Sequence, residues 1–152
     1  MPLGTPLLFV TGSAPVDSVV DESLLIGQER FSGWLEGGVE AWERAGMPLK
    51  TLSVIDTAAA RGLASEGATL IDVREPDEYA DGHIPGAIHV PLGRLQAHLD
   101  GVPRDRPVLT YCAMGERSTS AASMLERNGF AEVRNLRGGM DAWRATGQRV
   151  AV

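Results

Sequence analysis

Short apolar runs alternate with amphipathic stretches along most of the chain. Buried strands are predicted where apolar residues run together between turn residues, at 69–73, 87–90, 107–111 and 132–136. Helices are predicted where apolar residues recur every three or four positions, at 53–66, 76–79, 92–99, 117–128 and 140–146. This alternation predicts an α/β fold with a mainly parallel sheet that helices cover on both faces.

Two segments of the sequence repeat one another at an offset of 101 residues. Residues 35–46 read LEGGVEAWERAG, and residues 136–147 read LRGGMDAWRATG. A Gly-Gly pair followed by Ala-Trp at a fixed spacing is difficult to obtain twice by chance. A strand is also predicted at 7–10, in the order that the later copy requires. We therefore expect residues 1–50 to be the partial second half of a domain whose complete copy fills residues 51–152.

Composition and charge narrow the class of protein. Hydrophobic residues make up 43% and charged residues 22% of the 152 residues, which is typical of a soluble globular domain. The net charge of −6 disfavours a nucleic-acid surface, and no apolar run reaches the ~18 residues that cross a bilayer. The single cysteine excludes an intramolecular disulfide and favours a reducing, cytoplasmic location. We expect neither a metal nor a cofactor.

The single cysteine lies where an α/β fold places its chemistry. Cys112 follows a predicted buried strand, and Gly115 separates it from a helix that is expected to begin near Arg117. Loop N–H groups and a helix N-terminus stabilise negative charge, and Arg117 adds a permanent cation. A lowered thiol pKa and a nucleophilic role are therefore expected for Cys112. The alternative, a small buried hydrophobic side chain, is disfavoured by its position at the carboxyl end of a strand.

Three segments of the sequence together carry a family resemblance. They read LIDVREPDEY with GHIPGA from residue 70 to 87, CAMGER from 112 to 117, and NLRGGMDAW from 135 to 143. In these motifs the chain resembles the rhodanese superfamily of sulfurtransferases. The resemblance implies a five-stranded, mostly parallel sheet and a cysteine that takes a sulfane sulfur from a donor and passes it to a thiophilic acceptor. The sulfur would travel as a persulfide of Cys112.

Loop length indicates which branch of that superfamily the sequence resembles. Four residues separate Cys112 from Arg117, whereas the superfamily's phosphatases use a loop that is longer by one residue. Phosphatase or arsenate reductase activity is the alternative that this spacing disfavours. The residues expected to bind the substrate or the persulfide are Ala113, Met114, Gly115, Glu116, Arg117, Ser118 and Arg74.

Other polar residues of the motifs are given mainly structural roles. Asp72 and Arg74 match the family's Asp-x-Arg motif, and Asp72 is expected to form a structural ion pair. Arg74 either shares that pair or reaches the rim of the pocket. His83 lies in the Gly-His-Ile-Pro-Gly turn, where packing is expected rather than general-base catalysis.

The predicted partners are small molecules or other proteins. Glu116 beside Arg117 leaves little positive charge at the loop, so glutathione persulfide or another persulfide is at least as good a candidate donor as thiosulfate. Cyanide and thiols are the expected acceptors.

The N-terminal half-copy suggests a second, non-catalytic interpretation. Thr11 or Gly12 stands where its nucleophile would be, so this copy is expected to be inactive. The arrangement is similar to the C-terminal part of metallo-β-lactamase/rhodanese fusion proteins. The half-copy would then contact a fusion partner or a second chain in a homodimer. The alternative function is a non-catalytic or regulatory module of a larger persulfide-handling protein.

Overall fold

Two strands and two helices make up the N-terminal part of the structure. The computed structural model describes residues 4–12 and 14–152, and the chain divides into two compact units after Lys50. The first unit contains β1 (Leu7–Phe9), α1 (Val16–Leu25), β2 (Phe31–Trp34) and α2 (Gly38–Arg44). The two strands are parallel. Residues 1–3 and 13 of the predicted partial copy lie outside the described residues.

Five parallel strands form the sheet of the second unit. Its elements in chain order are β3 (Ser53–Ile55), α3 (Thr57–Ser65), β4 (Thr69–Asp72), α4 (Pro76–Ala80), β5 (Ile88–His89), α5 (Leu92–Leu95), a 3-10 helix (Gln96–Gly101), β6 (Val108–Tyr111), α6 (Glu116–Arg127), β7 (Val133–Leu136) and α7 (Gly139–Ala145). The strands are arranged β3-β7-β6-β4-β5, so β6 lies at the centre. This confirms the predicted five-stranded sheet. No helix in the described part of the chain is long and apolar enough to cross a membrane.

Apolar side chains on the two faces of this sheet form two separate clusters. Adjacent residues of a strand point to opposite faces, so Leu70 and Ile71 of β4 fall in different clusters, as do Val108 and Leu109 of β6. Helices α5 and α6 supply buried side chains to the cluster of Ile71 and Val108, and α3 and α7 supply them to the other. The sheet is therefore covered by helices on both faces, as predicted.

The predicted helix at 53–66 is wrong at its beginning. Residues 53–55 form the edge strand β3, which pairs with β7 in parallel. The helix begins only after Asp56, whose Oδ1 accepts a hydrogen bond from the Ala59 N–H at 2.9 Å. A carboxylate in this position caps a helix and so marks its first residue. Three residues are too few for alternation of apolar and polar positions to reveal a strand.

The two units have the same order of elements, and an equivalent tryptophan hydrogen bond occurs within each of them. β1, α1, β2 and α2 follow one another in the same order as β6, α6, β7 and α7. The Trp42 Nε1–H donates to the Pro48 carbonyl at 3.1 Å, and the Trp143 Nε1–H donates to the Arg149 carbonyl at 3.0 Å. Both members of the second pair lie 101 positions after those of the first. That residues 1–50 are a partial copy stays a prediction.

Candidate active site

Cys112 lies at the carboxyl end of the central strand, where the chain leaves the sheet. The four residues of β6 are buried, and Cys112 itself is only 2% exposed. Gly115 precedes the first turn of α6 with a φ of 110°, a backbone conformation that favours glycine. This turn directs the N-terminus of α6 back toward the cysteine. Met114, at the tip of the loop, is 63% exposed.

The Cys112 sulfur faces a set of hydrogen-bond donors. The Gly115 N–H donates to Sγ at 3.1 Å, and the Ser118 hydroxyl lies 3.5 Å from it. Burial by itself raises the pKa of the Cys112 thiol. The Ser118 hydroxyl and the backbone N–H groups of Ser118, Gly115 and Met114 outweigh burial, so the pKa is lowered. The site therefore favours a thiolate, which is the nucleophilic form of cysteine.

The Gly115 carbonyl anchors the loop to two neighbouring elements. It accepts hydrogen bonds from the Thr119 N–H at 3.1 Å, from the Thr119 hydroxyl at 2.8 Å and from Asn135 Nδ2 at 3.1 Å. The Ser118 hydroxyl lies 3.1 Å from the same oxygen. Since Thr119 and Asn135 already satisfy this carbonyl, the single proton of Ser118 can be donated to the sulfur instead. Asn135 was not among the predicted site residues, although it opens the third motif.

The Gly138-Gly139 pair lets the N-terminus of α7 lie close to the backbone of the cysteine loop. The Met140 N–H donates to the Cys112 carbonyl at 2.8 Å, and the Asp141 N–H donates to the Ala113 carbonyl at 3.1 Å. A Cβ on Gly139 would overlap both of these carbonyl oxygens. The close approach therefore requires glycine, and it explains why this motif accompanies the cysteine loop.

Arg117 forms a two-pronged ion pair with Glu78 of α4. Its Nη1 and Nη2 donate to the two carboxylate oxygens at 2.6 and 2.8 Å. The hydrogen bond from Arg117 lowers the pKa of Glu78 to about 2, and Glu78 in turn raises the pKa of Arg117. The predicted cation of the loop is thus present but paired. Glu78 was not among the predicted site residues, because nothing in its local sequence distinguishes it from Asp77.

Asp72 and Arg74 form a buried ion pair. Asp72 is fully buried, the Arg74 side chain is 4% exposed, and Nη2 lies 2.6 Å from Asp72 Oδ2. The same nitrogen donates to the Gly82 carbonyl at 2.9 Å. Burial opposes the charge of Arg74, but the hydrogen bonds and charge of Asp72 raise its pKa. The structure thus places Arg74 in a buried pair that is hydrogen-bonded to the turn at 82–86, rather than at an exposed pocket rim.

His83 and the remaining loop residues take different positions. The His83 ring stacks on Tyr79 with 3.8 Å between ring centroids, and its Nδ1 lies 3.1 Å from the Tyr79 carbonyl. These contacts belong to packing of the turn. Ala113 is half-buried in the loop, and Glu116 is exposed on the first turn of α6. Within residues 4–12 and 14–152, no cluster of His, Cys, Asp or Glu side chains could hold a metal ion.

The thiolate of Cys112 should be measurable by pH titration. We expect its ultraviolet absorbance to appear at lower pH than that of an unperturbed thiol, because the loop donors stabilise the charged form. Ser118→Ala removes one of these donors, so the midpoint should move to higher pH. The tyrosines also change their ultraviolet absorbance with pH. Cys112→Ser keeps the tyrosines and has no thiol, since Cys112 is the single cysteine, so its titration is subtracted from that of the wild type. A wild-type midpoint at or above that of a free thiol would contradict the role given to the loop.

Comparison with known proteins agrees with this arrangement. Residues 56–146 match the model of the rhodanese-like domain family. The chain is 39% identical over 92 residues to the thiosulfate sulfurtransferase GlpE of Ectopseudomonas mendocina, covering 60% of this chain and 84% of that protein. It is 46% identical over 76 residues to the Bacillus subtilis protein YqhL, covering 50% of this chain and 60% of that one.

A solved structure agrees with the fold. The crystal structure of a rhodanese-related protein from Thermoplasma volcanium superposes with a TM-score of 0.61 at 29% identity. The superposition covers 65% of this chain and 97% of that protein.

Proposed function

Because this chain belongs to the rhodanese-like domain family, we propose that it moves a sulfane sulfur from a donor to a thiophilic acceptor through a persulfide on Cys112. The observation that carries the proposal is the set of donors around the sulfur, with the Gly115 N–H at 3.1 Å and the Ser118 hydroxyl at 3.5 Å. They stabilise the attacking thiolate. The same N–H groups would hold the terminal sulfur of a persulfide, which also carries negative charge.

The transfer takes two displacements at sulfur. In the first, the Cys112 thiolate attacks the outer sulfur of the donor. The donor's S–S bond breaks, and its electron pair leaves on sulfite from thiosulfate or on a thiolate from an organic persulfide. In the second, cyanide or an acceptor thiolate attacks the outer sulfur of the Cys112 persulfide. The Cys112 thiolate is then the leaving group, and its lowered pKa favours its departure.

Loop length supports sulfur transfer over phosphoryl transfer. The Cys112–Arg117 loop closes around Sγ so tightly that the Gly115 N–H bonds the thiol itself. A persulfide adds a single atom to Sγ, whereas a phosphoryl group brings three outer oxygens that each need donors, so the short loop suits a sulfur better. A reducing, cytoplasmic location would keep Cys112 available as a thiolate.

Intact-protein mass spectrometry tests the proposal. After incubation with thiosulfate, and separately with glutathione persulfide, we expect a gain of about one sulfur atom on the single cysteine. Cyanide should remove this added mass. Absence of an adduct with both donors would contradict the proposal and favour the non-catalytic, regulatory module as the function.

The first unit supports a further part of the proposal, namely that residues 1–50 are a partial, inactive rhodanese-like copy. Leu8 and Val10 are exposed, whereas Leu109 and Tyr111, 101 positions later, are buried in the complete domain. The partial copy thus bears an apolar face that the complete domain covers with its own first half. Such a face is suited to a fusion partner or to a second chain in a homodimer.

The partial copy also lacks a nucleophile. A Cβ on Gly38 would lie 2.8 Å from the Thr11 carbonyl, just as one on Gly139 would overlap the Cys112 carbonyl. This contact supports Thr11, rather than Gly12, as the counterpart of Cys112 in the proposed partial copy. A threonine hydroxyl is not ionised near neutral pH, so in this proposal residues 1–50 transfer no sulfur and Cys112 carries the activity alone.

A further inference from the structure

We propose that Glu78 sets the donor specificity of the site by pairing with the loop's cation, Arg117. The inference rests on the proposed sulfur transfer and adds a substrate class to it. With Arg117 paired, the site favours organic donors that carry at most one negative charge and an apolar group beside the transferable sulfur. The thiosulfate dianion is the disfavoured donor.

The geometry of the pair supports this role. Both terminal nitrogens of Arg117 donate to Glu78, at 2.6 and 2.8 Å, so the carboxylate offsets the positive charge of the guanidinium and takes two of its five N–H donors. Arg117 is nevertheless close to the reacting atom, because it lies in the first turn of α6, two residues after Gly115, whose N–H bonds the Cys112 sulfur. A donor bound at Cys112 would therefore experience little net positive charge from the Arg117–Glu78 pair.

Other charges around the loop do not replace the paired cation. Arg74 is itself buried and neutralised by Asp72. Acidic residues outnumber basic ones in residues 75–78 and 112–117, the two segments that the Arg117–Glu78 pair joins, which carry Glu75, Asp77, Glu78 and Glu116 against Arg117. This excess of negative charge opposes the approach of a dianion, because like charges across a binding site reduce affinity.

The loop tip offers apolar surface in place of charge. The Met114 side chain is 63% exposed two residues after Cys112, and methionine adapts its shape to apolar ligands. An organic group on the donor would cover part of this side chain when the sulfur reaches Cys112. Thiosulfate has no such group, so it gains nothing from Met114.

Two donors with matched chemistry test the inference. Thiosulfate and benzenethiosulfonate both give up their outer sulfur to a thiolate, and their electron pair leaves on sulfite or on benzenesulfinate. They differ by one negative charge and an aromatic ring. We would measure kcat/KM for each with cyanide as acceptor, in the wild type and in the variants Glu78→Gln, Glu78→Asp and Asp77→Asn. Asp77 is an exposed neighbour of Glu78 on the same helix, so its substitution controls for the change in net charge.

The wild type should have a higher kcat/KM with benzenethiosulfonate than with thiosulfate. In Glu78→Gln, the ratio of kcat/KM for thiosulfate to that for benzenethiosulfonate should rise by about three- to tenfold. This gain should shrink as ionic strength rises, because exposed charges are screened by salt. Glutamine can still accept the hydrogen bond from the Glu75 N–H, which keeps the first turn of α4 intact. Glu78→Asp and Asp77→Asn should leave the donor ratio within about twofold of the wild type.

Several outcomes would overturn the inference. An equal fall with both donors in Glu78→Gln would mean that Glu78 only supports the loop. An equal change of the ratio in Asp77→Asn would mean that general charge, not the ion pair, decides the preference. Sulfur transfer from neither donor in the wild type would refute the proposed function itself, which separates that failure from a failure of the specificity argument.

Discussion

Replacement of Cys112 by serine is expected to reduce sulfur transfer to the uncatalysed background, a loss of at least roughly a thousandfold. The loop donors lower the pKa of the Cys112 thiol, but a serine hydroxyl stays protonated in the same surroundings. No second thiol in the chain can take over, because Cys112 is the only cysteine. Thiocyanate formation from cyanide and a sulfur donor measures the loss.

The same variant should keep its fold. Serine replaces only the sulfur of the side chain by oxygen. That sulfur already accepts a hydrogen bond from the Gly115 N–H and lies near the Ser118 hydroxyl. The new hydroxyl therefore finds hydrogen-bond partners, and urea unfolding should show a change of no more than about 1 kcal/mol. Ser118→Ala, which retains the thiol, is the comparison variant and should be slowed rather than inactive. Transfer by Cys112→Ser well above background would place the nucleophile elsewhere.

Asp72→Ala is expected to cause the largest loss of stability, about 3–5 kcal/mol in the free energy of unfolding. The substitution leaves the Arg74 guanidinium buried without its carboxylate, and an uncompensated buried charge is costly. Such a loss is a large part of the roughly 5–15 kcal/mol that stabilises a domain of this kind. Urea or guanidinium denaturation monitored by tryptophan fluorescence measures it.

Two further variants distinguish the loss of a buried charge partner from the loss of a carboxylate in general. Asp105→Ala removes the carboxylate of an exposed ion pair with Arg106, and solvent screening should leave its stability unchanged within error. The double substitution Asp72→Ala with Arg74→Met removes both buried charges, and it should be more stable than Asp72→Ala alone. If Asp72→Ala unfolds at the same denaturant concentration as Asp105→Ala, the buried pair does not hold the turn at 82–86.

The cysteine loop could be predicted from the sequence because its chemistry is local. Cys112, Gly115 and Ser118 lie within seven consecutive residues, and the strand before them and the helix after them have clear hydrophobic patterns. A buried strand followed by a glycine and a helix brings backbone N–H groups to the residue that ends the strand. The donors found around Sγ therefore follow from neighbouring residues.

The edge strand β3 could not be predicted in the same way. Residues 53–55 are extended because they pair with β7, about 80 positions later in the chain. Their own pattern of apolar residues continues smoothly into that of α3, so it predicts one longer helix. Pairing between distant segments decides the conformation here, and a local pattern does not report it.

The partners of the loop likewise come from distant parts of the chain. Glu78 lies 39 positions before Arg117, and Asn135 lies 20 positions after Gly115. Their sequence context predicts an exposed helix residue and a strand residue, without showing what they contact.

The sequence by itself thus determined the α/β fold and the family, and it predicted Cys112 as the nucleophile, since these depend on local periodicity, contiguous motifs and a single cysteine. Only the tertiary structure decided the charge at the site, because the pairing of Arg117 with Glu78 and of Arg74 with Asp72 depends on distance and burial. Whether an arginine acts as a free cation or as half of a neutral pair is a property of the folded chain.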